Sequence, residues 1–241
     1  MSQISNLKSQ ISKKYAIIVA GGSGSRMGSG MPKQFLLLNG LPVLIHTLLA
    51  FQNSQSKPEL ILVLPSTYHD YWAKLCEMHN FSLPHRVVSG GETRFHSVKN
   101  GLDLISADEP SLIAVQDAVR PMTSPETIDK AFECAVEHGN GVAAVKSRDS
   151  IRQLKNDVSV ALTRDEIYLV QTPQTFQSAQ LKKAYAQEYN STFTDDASVV
   201  EATGAKIYLV NGSYKNIKIT FPEDIAVVEL LMNQASSLGE S

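Results

Sequence analysis

The chain has 241 residues, enough for one sizeable hydrophobic core with an elaboration. Hydrophobic residues make up 43% and charged residues 19%, near globular averages, which argues against disorder, and no run of about 18 apolar residues offers a membrane span. With 22 Lys and Arg against 24 Asp and Glu the formal charge is −2, so no long-range field draws the protein to nucleic acid and any anion site must be local.

The opening MSQISNLKSQISKK lacks the apolar block of a signal peptide and the arginines of a transit peptide, so residues 1–14 are expected to form a flexible leader and the cytoplasm is the expected location. Residues 15–232 are then a single domain, followed by a frayed tail over 233–241. Six apolar runs read as strands: YAIIV, ELILVL, HRVVS, SLIAVQD, GVAAV and KIYLV. Between them PVLIHTLLAF, ETRFHSVKNGLDLI, SPETIDKAFECAVEHG and PEDIAVVELLM read as helices. In the second, Phe95, Val98, Leu102 and Ile105 recur at helical spacing, and the third opens Ser-Pro and closes His-Gly, good start and stop signals. The alternation predicts an α/β fold, a Rossmann-like, mostly parallel sheet with helices on both faces. Residues from about 146 to 175 break the rhythm. SIRQL, VSVAL and EIYLVQ resemble short strands separated by KND and TRDE, a β-rich arm that serves either dimerisation, the favoured reading, or a local flap.

Cys76 and Cys134 belong to no CxxC pair and are expected to be free, and the six histidines show no metal-ligand spacing. Trp72 is expected to cover the core. The chemistry-bearing stretch is AGGSGSRMGSGMPKQ, residues 20–34, directly after the first strand. No Gly-Lys dipeptide occurs, which excludes a P-loop, and Gly22, Gly24 and Gly28 give GxGxxxG instead of the dinucleotide fingerprint. Two readings remain: a surface loop with two solvated cations, or a loop whose backbone N–H groups wrap phosphates while Arg26 and Lys33 neutralise charge and Pro32 stiffens the approach.

AGGSGSRMG and MPKQF resemble the opening motif of the nucleoside-diphosphate-sugar pyrophosphorylase-like nucleotidyltransferases. SGGETRFHSVKNGL, VQDAVRP, SRDSIR, QTPQTF, FTDDASVVEATG and NIKITFPEDI then resemble, in this order, motifs of the 2-C-methyl-D-erythritol 4-phosphate cytidylyltransferase family. The ribitol-5-phosphate cytidylyltransferase branch shares much of this frame, and a CTP-binding protein without turnover is the reading from another class. The resemblance implies transfer of the cytidylyl group of CTP to a polyol phosphate with release of pyrophosphate, a reaction dominated by positioning and charge stabilisation.

The resemblance assigns Arg26 and Lys33 to the reacting phosphates, Lys218 to the acceptor phosphate, and Arg164, on an arm reaching into the other subunit of a homodimer, to the same acceptor. Ala20, Gly21, Gly22, Gly24, Gly90, Gly91, Arg94, Ser97, Asp117 and Ala118 fall in the nucleotide-binding stretches, with Ser150 and Thr194 completing the substrate set; Thr194 equally fits a helix N-cap. Asp117, at the carboxyl end of a predicted strand, is the candidate Mg²⁺ ligand, and it also fits a turn cap. Two departures stand out. Gln116 occupies a position usually held by His and receives no chemistry, and Lys215 stands where an acidic residue is common, which weakens any second metal-binding carboxylate.

Overall fold

The computed structural model describes residues 11, 13–21, 31–107 and 109–238. Its strands are β1 (Lys13–Val19), β2 (Leu37–Leu38), β3 (Leu41–Pro42), β4 (Glu59–Leu64), β5 (Arg86–Ser89), β6 (Ser111–Asp117), β7 (Asn140–Lys146), β8 (Arg152–Lys155), β9 (Val158–Ala161), β10 (Tyr168–Gln177) and β11 (Leu209–Asn211). Its helices are α1 (Val43–Gln52), α2 (His69–Met78), α3 (Arg94–Leu102), α4 (Pro125–His138), α5 (Ser178–Tyr185), α6 (Asp196–Glu201) and α7 (Glu223–Leu238). Among the described residues no helix is long and apolar enough to cross a membrane.

Seven strands form one sheet in the order β11-β7-β10-β6-β1-β4-β5. β1 lies parallel to β4 and β6, β4 to β5, and β7 to β11, whereas β10 runs antiparallel between β6 and β7. The period-two pleat sorts the core into two layers. Ala16, Ile18, Leu62 and Leu112 meet α1, α2 and α4 through Leu48, Trp72 and Phe132. Ile17, Val63, Ile113 and Val115 meet α3, α5 and α6 through Phe95, Val98, Leu181 and Val200. Each fully buried Leu, Val or Phe contributes about 2 kcal/mol by leaving water, so the two layers dominate the stability. The expected stripe Phe95, Val98, Leu102, Ile105 lies in the second layer, and Trp72 is buried in the first.

α4 starts and stops as its sequence signals require: Ser124 Oγ accepts from the Thr127 N–H at 3.2 Å, Pro125 opens the first turn, and Gly139, at φ 93°, closes it in a left-handed conformation. Several expectations need correction. β1 begins at Lys13, inside the expected leader, and α7 continues to Leu238, through residues expected to fray. KIYLV shortens to Leu209–Asn211, and α2, α5 and α6 were not expected. Of the three strands assigned to the arm, only two form it. β8 and β9 make a separate hairpin turned by Asn156 and Asp157, both at positive φ, while EIYLVQ opens β10, which belongs to the central sheet. The arm is therefore confined to residues 147–167. Both cysteines are free, with burial pushing each thiol up from its ordinary value.

Candidate active site

β1 and β6 are neighbours in register, Val19 opposite Asp117, and from β1 the chain winds one way to β4 and β5 and the other way to β6. Crevices at such reversals, outside the carboxyl ends of parallel strands, are where open α/β sheets bind ligands. Two adjoining clefts of about 240 Å³ each open there. The first is walled by Ala20 and Gly21 after β1, Lys33 and Gln34, and the segment Gly91–Arg94 with Ser97. The second lies over β10 and is walled by Gln171, Thr172, Gln174, Arg120, Thr194 and Asp195. Arg94, Asp117 and Lys218 face both.

Asp117 is fixed from its backbone outward. Its N–H donates to Thr172 Oγ1 at 3.1 Å, a hydroxyl delivered by the register shift in β10 between Val170 and Gln174. The carboxylate is 8% exposed and surrounded by cations: Lys218 Nζ donates to Oδ2 at 3.0 Å, Arg120 Nε donates to the same oxygen at 3.2 Å, and Arg94 Nε stands 3.7 Å from Oδ1. Burial alone would raise its pKa. Attraction from Arg94, Lys218 and Arg120 outweighs that and holds it at about 2. Arg120 is placed in turn by the Asn216 carbonyl, which accepts from its NH1 at 2.7 Å, and burial pulls its pKa down from the ordinary value.

Glycine is required in the first cleft because backbone runs against a helix. A Cβ on Gly91 would lie 2.4 Å from His96 Cβ, and one on Gly21 would lie 3.1 Å from Ser97 Oγ. Ser97, 1% exposed, accepts from the Gly91 N–H at 3.0 Å and so ties this loop to the first turn of α3. Gly91 thus packs closely on the protein itself where it lines the cleft.

Of the expected site residues, Ala20, Gly21, Lys33, Gly91, Arg94, Ser97, Asp117, Thr194 and Lys218 line the two clefts. Gly90 lies next to them, its N–H donating to the Leu64 carbonyl. Ala118 does not line either cleft. Its methyl is buried in the first core layer, its N–H donates to the Val19 carbonyl and its own carbonyl accepts from Thr47 Oγ1, so neither backbone group is available to a ligand. Ser150 and Arg164 are exposed on the arm and line neither cleft of their own chain. Gly22, Gly24 and Arg26 lie outside the described residues.

Thr194 is not the helix cap. That role falls to Asp195, whose Oδ1 accepts from the Ser198 N–H at 2.8 Å in a reciprocal capping box. Residues not singled out from the sequence complete the site. Asp196, fully buried, holds Arg94, and Asn216 links Arg120 to Thr172, whose carbonyl accepts from Asn216 Nδ2 at 2.9 Å. Gln116 is buried; its Nε2 donates to Thr123 Oγ1 at 2.9 Å, away from either cleft. Among the described residues no group of three or more His, Cys, Asp or Glu gathers as a metal centre. Asp117 still suits a hard cation that takes one carboxylate and several phosphate oxygens, because among the described residues Oδ1 carries only the long contact with Arg94.

The comparisons with known proteins agree with this architecture. The family model of 2-C-methyl-D-erythritol 4-phosphate cytidylyltransferase matches residues 15–234. The 2-C-methyl-D-erythritol 4-phosphate cytidylyltransferase of Bacteroides thetaiotaomicron is 49% identical over 220 residues, covering 91% of this chain and 100% of that one. Among solved structures, the 4-diphosphocytidyl-2C-methyl-D-erythritol synthase of Anaerococcus prevotii is similar with a TM-score of 0.80 at 29% identity, covering 95% of this chain and 99% of that one. The 2-C-methyl-D-erythritol 4-phosphate cytidylyltransferase of Francisella tularensis gives 0.74 at 32% identity, covering 91% and 99%. By its motifs, its sheet and these matches, the chain belongs to the 2-C-methyl-D-erythritol 4-phosphate cytidylyltransferase family.

Proposed function

We propose that the protein transfers the cytidylyl group of CTP to 2-C-methyl-D-erythritol 4-phosphate, releasing pyrophosphate and forming 4-diphosphocytidyl-2-C-methyl-D-erythritol, an intermediate of the non-mevalonate route to isoprenoid precursors. The observation that carries this reading is the carboxylate of Asp117 at the sheet's carboxyl edge, ringed by Arg94, Arg120 and Lys218 and shared by two adjoining clefts. One cleft suits the nucleotide and the other the acceptor.

A phosphate oxygen of the acceptor attacks the α-phosphorus of CTP, and the bond from that phosphorus to the bridging oxygen of pyrophosphate breaks. The attacking group is already an oxyanion, so no protein nucleophile or general base is needed. The chain's part is to hold the two phosphates in line and to meet the charge that builds on the equatorial oxygens. Backbone groups of Ala20 to Gly24 and of Gly90 to Arg94, with Ser97, are assigned to CTP, and Arg26 and Lys33 to the reacting phosphates, a guanidinium fork and a point charge. Lys218 and Thr194 are assigned to the acceptor. Asp117 with phosphate oxygens of the nucleotide would hold Mg²⁺, which when bound supplies charge neutralisation across the triphosphate.

The arm supports a homodimer. Leu154, Val158 and Val160 are 70%, 62% and 53% exposed, and the β8–β9 register puts Leu154 and the two valines on opposite faces. A two-stranded hairpin with apolar side chains exposed on both faces is marginal alone in water. Seated on a second copy, the arm would bring Ser150 and Arg164 to the acceptor of the partner site. A cytoplasmic location suits the free thiols.

Pyrophosphate release measured across the four nucleoside triphosphates, with methylerythritol phosphate or ribitol 5-phosphate as acceptor, tests the reading. Release is expected with CTP and methylerythritol phosphate together. Preference for ribitol 5-phosphate would reassign the acceptor, and tight CTP binding without turnover would reassign the protein to nucleotide binding.

A further inference from the structure

The α3–α6 contact puts a charged chain behind the site. Asp196, 0% exposed, takes both terminal nitrogens of Arg94: NH1 donates to Oδ1 at 3.1 Å and NH2 to Oδ2 at 2.6 Å. The Tyr185 hydroxyl donates to the same Oδ1 at 2.6 Å, and the Tyr185 ring is stacked on Phe95 at 4.6 Å. α6 is pinned to β10 by Gln174, whose Oε1 accepts from the Ala197 N–H at 2.8 Å and whose Nε2 donates to Asp195 Oδ2 at 2.9 Å. Burial would lower the Arg94 pKa, but Asp196 and Asp117 outweigh it and push it up; for Tyr185, burial first and Asp196 second push the phenol up.

With Asp196 fully buried and the Arg94 side chain 31% exposed, such an ion pair adds little to stability compared with an apolar pair of the same volume, so its presence calls for another explanation. The geometry provides one. With both ends of the fork taken by Asp196, Nε faces Asp117 Oδ1 at 3.7 Å, at the wall between the clefts. Building on the cytidylyl-transfer reading, we infer that the Arg94 side chain is a positioning residue, aimed by Asp196 and Tyr185, that sets the Asp117 carboxylate between nucleotide and acceptor and does not itself grip the triphosphate. Nucleotide affinity then resides in the loop backbone and the cations of the opening stretch, while the relay sets the geometry of the reacting centre.

Steady-state kinetics of wild type, Asp196→Asn, Arg94→Lys and Tyr185→Phe test it. Asp196→Asn keeps the shape and removes the charge, Arg94→Lys removes the fork, and Tyr185→Phe keeps the stacked ring and removes one hydrogen bond. The inference predicts kcat falling about thirtyfold in the first two and about threefold in Tyr185→Phe, with KM for CTP within about threefold of wild type throughout. A KM for CTP raised about tenfold or more in Arg94→Lys with kcat retained would make Arg94 a direct nucleotide ligand and overturn the inference. Unchanged kcat in every folded variant, with only the thermal midpoint lowered, would overturn it too. Tyr185→Phe, whose core packing is conserved, decides the matter if Asp196→Asn does not fold. Failure of the cytidylyl-transfer reading shows separately, as absence of CTP-dependent pyrophosphate release by the unmodified chain.

Discussion

Replacing Asp117 by Asn removes one charge at constant shape, and the structure gives the size and pH dependence of the loss. In the folded protein the carboxylate titrates at about 2 against an ordinary 3.8, which corresponds to on the order of 2 kcal/mol of preference for the ionised form. Breaking a buried pair can cost about 3–5 kcal/mol, but Lys218 is 44% exposed, Arg94 keeps Asp196, and Arg120 keeps the Asn216 carbonyl, so about 2–3 kcal/mol is expected at neutral pH. The folded pKa is depressed, so the contribution is fully present above the unfolded carboxylate's pKa and is lost as pH falls through the folded value. Urea unfolding of wild type and Asp117→Asn should differ most at pH 7, about as much at pH 5.5, and roughly half as much at pH 3. A gap that stays constant from pH 7 to pH 3, or an Asn variant as stable as wild type at pH 7, would refute the cation-ringed carboxylate. Turnover of the variant should fall by about a hundredfold or more.

Lys218→Met should lower turnover by about tenfold to a hundredfold with the thermal midpoint nearly unchanged, since the side chain is half-exposed; a steady-state assay paired with calorimetry checks both. For the homodimer proposed above, Val158→Lys with Val160→Lys should halve the mass measured by light scattering and abolish turnover, although neither residue lines a cleft of its own chain. A variant that remains dimeric would move the interface elsewhere. Gly91→Ala should raise KM for CTP about tenfold, because the new Cβ would meet His96 Cβ at 2.4 Å and push the loop off α3. His85→Phe should cost about 1–3 kcal/mol and shift the emission of the single tryptophan, because Trp72, 2% exposed, donates from Nε1 to His85 Nε2 at 2.9 Å and would lose that acceptor.

The parallel half of the sheet was legible because β1, β4 and β6 are continuous apolar runs buried on both faces, a pattern that leaves little choice of structure. α4 was legible from its caps. The first half of β10 was read as a strand in EIYLVQ, but its second half and its place in the sheet were not legible, because TPQTF is polar at its centre: Thr172 and Gln174 are buried there and satisfied by Asp117, Asn216 and Asp195, partners that only the folded chain supplies. α5 and α6 have only 8 and 6 residues, too few for a helical period to show, whereas α2 carries Tyr71, Trp72, Leu75, Cys76 and Met78 at helical spacing, a usable signal that the reading by strands and loops passed over. In the site, Asp117 was marked by its place at a strand end. Asp196 could not be separated from Asp195 in TDD, since both suit a helix start and the distinction rests on Arg94, 102 residues away. Ala118 shows the opposite limit, a residue inside a recognised motif whose backbone and methyl are both spent within the core.

The most direct measurement of the central claim is the fate of oxygen-18 placed in the phosphate of methylerythritol phosphate, followed by phosphorus NMR during turnover with CTP. Attack by the acceptor's phosphate oxygen on the α-phosphorus predicts label in the diphosphate of the cytidylyl product and none in the released pyrophosphate. Label in pyrophosphate, or CTP consumed without a labelled diphosphate product, would contradict it.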